Sequence, residues 1–175
     1  MIVPAEFFFK PAALTGCTKR LAMNTQPLFK TFVRELRMNY GVVSYTECNK
    51  VSSSLDASNI LRDVWGSDLS HREAFYILCL NRANKVIGYA LISLGGVSGT
   101  VADPKVIFST ALLANASSII LAHNHPSGNT EPSAADQALT KKLIQAGSFL
   151  DIQVLDHLII TPDTYLSFAD ENLMS

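Results

Sequence analysis

The chain has 175 residues, 48% hydrophobic and 17% charged, enough for one domain with a proper core. Lys and Arg number 14 against 15 Asp and Glu, a net charge of −1, so no overall basic footprint marks a nucleic-acid binder. Cys17, Cys48 and Cys79 are scattered and form no Cys-x-x-Cys, which argues against a disulfide framework and for a reducing, cytoplasmic setting.

Residues 1–28 are mixed in composition and read as an arm or extension before a domain at 29–175. They carry Phe7-Phe8-Phe9 but an early Glu6 and no basic stretch near the start, unlike a signal peptide. No apolar run in the chain reaches the ~18 residues of a membrane span. Alternation over residues 32–40, with Phe32, Leu36, Met38 and Tyr40 on one parity, predicts a half-buried strand. Ser52-Ser53-Ser54 and Asp56 supply caps for a helix ending at about Trp65, before Gly66. Residues 74–80 are apolar at both parities, as in a central strand covered on both faces. Residues 81–84 have turn chemistry and 85–94 read as a hairpin partner.

Gly95, Gly96 and Gly99 suggest a flexible loop, and Asp103-Pro104 a capped helix start running to about Ala114. Residues 118–125 form another buried strand. Ser133 caps a helix to about Gly147, with Leu139, Leu143 and Ile144 inward, and 154–160 is a late strand. Intermixed strands and helices predict an α/β sandwich.

The chemistry concentrates at His123-Asn124-His125-Pro126-Ser127-Gly128, followed by Ser133 and Asp136. On a strand, residues two apart share a face, so His123 and His125 aim together while Asn124 points away as a structural hydrogen-bonder. Two imidazoles at a strand end beside a glycine turn favour a metal site, and a catalytic zinc takes three protein ligands and a water. The same donors suit Fe²⁺ or Mn²⁺. Ser133-Ala134-Ala135-Asp136 also fits a capping box, which alone explains both residues. The first turn is equally a platform from which Asp136 reaches a cation, and spacing leaves the two roles level.

A zinc hydrolase also needs a base and an oxyanion donor. Ser133 is a candidate donor. Glu73, opening the buried strand at 74–80, is the candidate base, against the plain reading of a solvated strand-entrance residue. Glu131 sits in a turn with Pro132 and is expected to face solvent. Asp156-His157 lies in an apolar strand; adjacent residues face opposite ways, so a buried hydrogen-bonding role is expected. The chain has neither His-Glu-x-x-His nor the deaminase Pro-Cys-x-x-Cys.

Glu73, His123-x-His125, Ser133 and Asp136 follow the spacing of the JAMM/MPN metalloprotease motif. His123-Asn124-His125-Pro126-Ser127-Gly128, Pro132 to Asp136, Leu139-Thr140, Asp156-His157-Leu158-Ile159-Ile160 and Tyr165-Leu166-Ser167-Phe168 resemble the RadC branch, over roughly residues 50–170. The resemblance implies a three-layer α/β/α sandwich around a mixed sheet, related to the cytidine-deaminase fold. It implies Zn²⁺ on His123, His125 and Asp136, Glu73 as acid/base and Ser133 at the oxyanion. It implies a peptidase or isopeptidase acting on a peptide or protein substrate, and carries the DNA-repair association of RadC proteins.

Two departures stand out. The first 50 or so residues are too short and strand-like for the helix-hairpin-helix region of many RadC proteins, which counts against direct DNA binding. The usual Pro-Arg-Glu reads Pro104-Lys105-Val106, and lysine lacks the planar fork of arginine. The alternatives to a peptidase are a non-catalytic protein-binding scaffold that keeps the fold, and a DNA-repair-associated factor.

Overall fold

The structure, a computed structural model, describes residues 50–95 and 102–175. The extension at 1–28, the strand read at 32–40, and Gly96 and Gly99 of the glycine loop lie outside them.

Helix α1 (Ser54–Trp65) starts where the serine run meets Asp56. Ser53 Oγ accepts from the Asp56 N–H at 3.2 Å, and Asp56 Oδ2 accepts from the Ser53 N–H at 3.0 Å. This reciprocal box satisfies first-turn donors and is worth about 1 kcal/mol. Gly66, at φ 54°, ends the helix. A 3₁₀ turn, Gly66–Ser70, which residue patterning does not reveal, then buries Leu69 and leads to the sheet.

The sheet contains β1 (Ala74–Leu80), β2 (Val86–Leu94), β3 (Ser118–Asn124), β4 (Gln153–Ile160) and the short β5 (Tyr165–Ser167). Their order is β2-β1-β3-β4-β5. Neighbours are antiparallel except β3 and β4, so the sheet is mixed. A parallel pair needs a crossover, and α3 (Ala134–Phe149) supplies it.

Alternation along the strands sends side chains to two cores. On one face Leu78, Leu80, Ala122, Leu158 and Ile160 pack on Ala57, Leu61 and Trp65 of α1. On the other, Phe75, Ile77, Ile119 and Leu121 pack on Ile107 and Phe108 of α2 (Pro104–Leu113) and Leu143 of α3. The three-layer α/β/α sandwich is therefore present. Each fully buried aliphatic side chain contributes roughly 1.5–3 kcal/mol. Cys79 is a free thiol in the second core, its pKa pushed up to about 11 by burial.

Helix α3 runs two residues past the expected stop at Gly147. Gly147 is buried within the helix, where a Cβ would collide with the Ile152 carbonyl. The left-handed position that leaves the helix falls on Asp151, at φ 54°.

Candidate metal centre

β3 delivers His123 to the carboxyl end of the sheet on the α2–α3 face, opposite Phe75 of β1. It is 3% exposed. His125 lies one residue past the strand, but its N–H still donates to the Ile160 carbonyl at 2.9 Å, so extended pairing continues. Both imidazoles therefore project to one side, and their Nε2 atoms stand 3.0 Å apart. Gly128, at φ 84°, then turns the chain. The turn brings the Asn129 carbonyl to accept from His125 Nδ1–H at 2.7 Å.

Asp136 occupies the third position of α3 and divides its carboxylate. Oδ2 accepts from the Ser133 N–H at 2.8 Å and from the Ser133 hydroxyl at 2.6 Å. Oδ1 faces His123 Nε2 at 3.5 Å. Capping and a place in the cluster are thus compatible, each using its own oxygen.

The donor set fits a divalent cation. One ligand atom each from His123, His125 and Asp136 lies within 4.8 Å of the others. A backbone carbonyl only accepts, so the bond to Asn129 puts a proton on His125 Nδ1; an imidazole with that one proton carries its lone pair on Nε2. That lone pair faces another imidazole nitrogen and a carboxylate oxygen. Burial pushes the His123 pKa down to about 4, against the opposing pull of Asp136, which keeps the ring in its neutral, ligating form. Imidazole and carboxylate donors suit zinc.

Glu73 is half-buried and not one of these three residues. Its place follows from register. The β1–β3 pairing ends at Phe75 and His123; Glu73 lies just before β1 and His125 just after β3. Its carbonyl accepts from the Gly95 N–H at 2.8 Å, extending the β1–β2 ladder. Asn124, pointing the other way as expected, anchors this approach. Its Oδ1 accepts from the Ala74 N–H at 2.7 Å, and its amide donates to the Leu69 and Arg72 carbonyls at 2.7 and 2.9 Å. Glu131 is exposed.

Residue spacing did not assign His157 and Thr140 to the site. β4 is shifted by one residue between Ile119 and Ile120 of β3, leaving Leu155 without its own partner. Such a bulge re-aims the side chains that follow. It turns His157 onto the His123 face, where His157 Nε2 meets His123 Nδ1 at 2.8 Å. Thr140 Oγ1 stands 2.6 Å from His157 Nδ1. Asp156 faces the opposite core. It accepts from the Ser167 hydroxyl at 2.6 Å and from the His157 and Ala169 N–H groups at 2.7 and 2.9 Å. Burial raises its pKa, with those bonds opposing. The visible signal was the polar Asp156-His157 pair in an apolar strand.

Residues 51–173 match the family model described as the RadC-like JAB domain. The chain belongs to this family. The RadC-like JAB domain covers the sheet, helices α1, α2 and α3 and every residue of the site. Relatives include a UPF0758 protein of Flavobacterium johnsoniae, 48% identical over 124 residues, or 71% of this chain and 53% of the relative. A UPF0758 protein of Alkaliphilus metalliredigens is 36% identical over 140 residues, 80% of this chain and 60% of the relative. UPF0758 protein YfjY of Escherichia coli is 44% identical over 103 residues, 59% of this chain and 64% of the relative. The matched stretch thus spans 53–64% of the length of these relatives. Among the described residues no helix is long and apolar enough to cross a membrane.

Proposed function

We propose that the chain is a zinc-dependent hydrolase that cleaves peptide or isopeptide bonds in a protein substrate. The observation that carries this is the convergence of His123 Nε2, His125 Nε2 and Asp136 Oδ1 at the end of a buried strand. Three such ligands leave a fourth position for water. When bound, zinc supplies the Lewis acidity that brings the pKa of water to about 7.

The remaining roles fall to the chain's own groups. Glu73, immediately before β1 as His125 is immediately after β3, takes the proton of the attacking water and delivers it to the leaving amine. Ser133 serves the developing oxyanion by redirecting the hydroxyl proton it now gives to Asp136 Oδ2. The Ser133 N–H keeps that oxygen bonded when the hydroxyl turns. The buried face of His123 excludes water on the core side, so substrate approaches from the side of His125 and Asp136, both half-buried.

The test is Glu73→Gln, assayed on a mixed peptide library and on lysine-isopeptide conjugates by mass spectrometry. Hydrolysis should fall by about 10²–10⁴-fold while zinc content stays unchanged. Undiminished hydrolysis by the variant would overturn the base assignment. A zinc-loaded wild type that cleaves neither substrate class would favour the protein-binding scaffold.

A further inference from the structure

We infer that Thr140 and His157 are positioning residues that lock His123 in the tautomer presenting a bare Nε2 to a metal. This rests on the reading of His123, His125 and Asp136 as a metal site.

The argument follows protons through three consecutive hydrogen bonds. A threonine hydroxyl has one proton. Thr140 Oγ1 lies 2.7 Å from the Asp136 carbonyl oxygen, which can only accept, so the proton is spent there. The 2.6 Å bond between Thr140 Oγ1 and His157 therefore runs the other way, with His157 Nδ1–H as donor. His157 is completely buried, and an imidazole whose one proton sits on Nδ1 carries its lone pair on Nε2. Its Nε2 is then an acceptor, and the 2.8 Å contact makes His123 Nδ1–H the donor. Neutral His123 is left with its lone pair on Nε2, the atom facing His125 and Asp136.

The relay closes on itself. It starts at the backbone carbonyl of Asp136 and ends at the imidazole nitrogen that the Asp136 carboxylate faces. Two of the three ligands are thereby coupled through two fully buried side chains, Thr140 and His157. Phe75 and Phe168 flank the His157 ring, with centroids 5.5 and 4.7 Å away, and hold its plane. The Asn129 carbonyl does for His125 in one step what this relay does for His123 in three.

The experiment compares wild type, Thr140→Val and Thr140→Ser. Long-range ¹H–¹⁵N spectra of metal-free protein report the His123 tautomer, and chelator competition reports zinc affinity. Wild type should show the Nδ1–H form. Thr140→Val, similar in shape but without the hydroxyl, should mix the tautomers and weaken zinc binding by about 10–100-fold. Thr140→Ser should restore both. A merely structural role would lower stability without moving the tautomer. The inference is overturned by an Nε2–H tautomer in wild type, a reading that stands even if Thr140→Val fails to fold. Unchanged tautomer and affinity in Thr140→Val also overturn it. Wild type with no zinc affinity would instead remove the metal reading beneath it, and this role with it.

Discussion

Asp136 Oδ1 stands 3.5 Å from His123 Nε2 while the other oxygen of the same carboxylate closes the capping box of α3. One side chain therefore ties a helix start to the end of a buried strand. Its two functions separate by mutation. Ser133→Ala removes the hydroxyl half of the cap, together with the proposed oxyanion donor, and should cost about 1 kcal/mol of stability with zinc still bound. Asp136→Asn keeps a side-chain acceptor for Ser133 but loses the charge. It should therefore unfold at nearly the wild-type urea concentration, yet lose most of its zinc affinity in chelator competition. Zinc retention by Asp136→Asn would make the residue a cap only.

Asn124, between the two histidines, should matter for stability rather than for metal. Its side chain makes three hydrogen bonds to backbone groups of residues 69–74. Asn124→Leu is close in volume but leaves the Ala74 N–H and the Leu69 and Arg72 carbonyls without this partner. An unsatisfied buried group costs about 1–3 kcal/mol. Urea denaturation should show a loss of at least that size, and a loss below ~0.5 kcal/mol would contradict the anchoring role.

Metal-free protein should lose stability on mild acidification. Burial holds His123 down to about 4 against an ordinary 6.5, and pushes His157 well below the ordinary value. Below about pH 6.5 the unfolded chain takes up protons that the folded state refuses. The stability present above that pH is therefore lost as pH falls toward 4, at up to about 1.4 kcal/mol per pH unit for each histidine. Thermal melts of chelator-treated protein from pH 7 to 4.5 should show a falling Tm. A Tm that is flat or rises across that window would contradict the buried, neutral pair.

Much of this site is legible in the sequence because it depends on local geometry. His-x-His on a strand has to share a face, and Ser133 to Asp136 has to form a first helical turn; both follow from backbone period alone. The buried strand at Ala74–Leu80 declares itself by being apolar at both parities. What is not legible depends on long-range register. Which way His157 faces is decided by the one-residue shift between β3 and β4, a property of the pairing and not of either strand. Thr140 joins the site only because α3 lies against that face. β5 is three residues long and gains its order from pairing with β4, too short to show a period.

The most direct test of the central claim is a calorimetric titration of chelator-stripped protein with zinc, run beside His125→Ala. His125 is half-buried and outside the strand core, so its removal should leave the fold intact. The account predicts about one zinc per wild-type chain and binding lost or weakened at least ~100-fold in the variant. No zinc uptake by wild type, or equal uptake by both proteins, would contradict it.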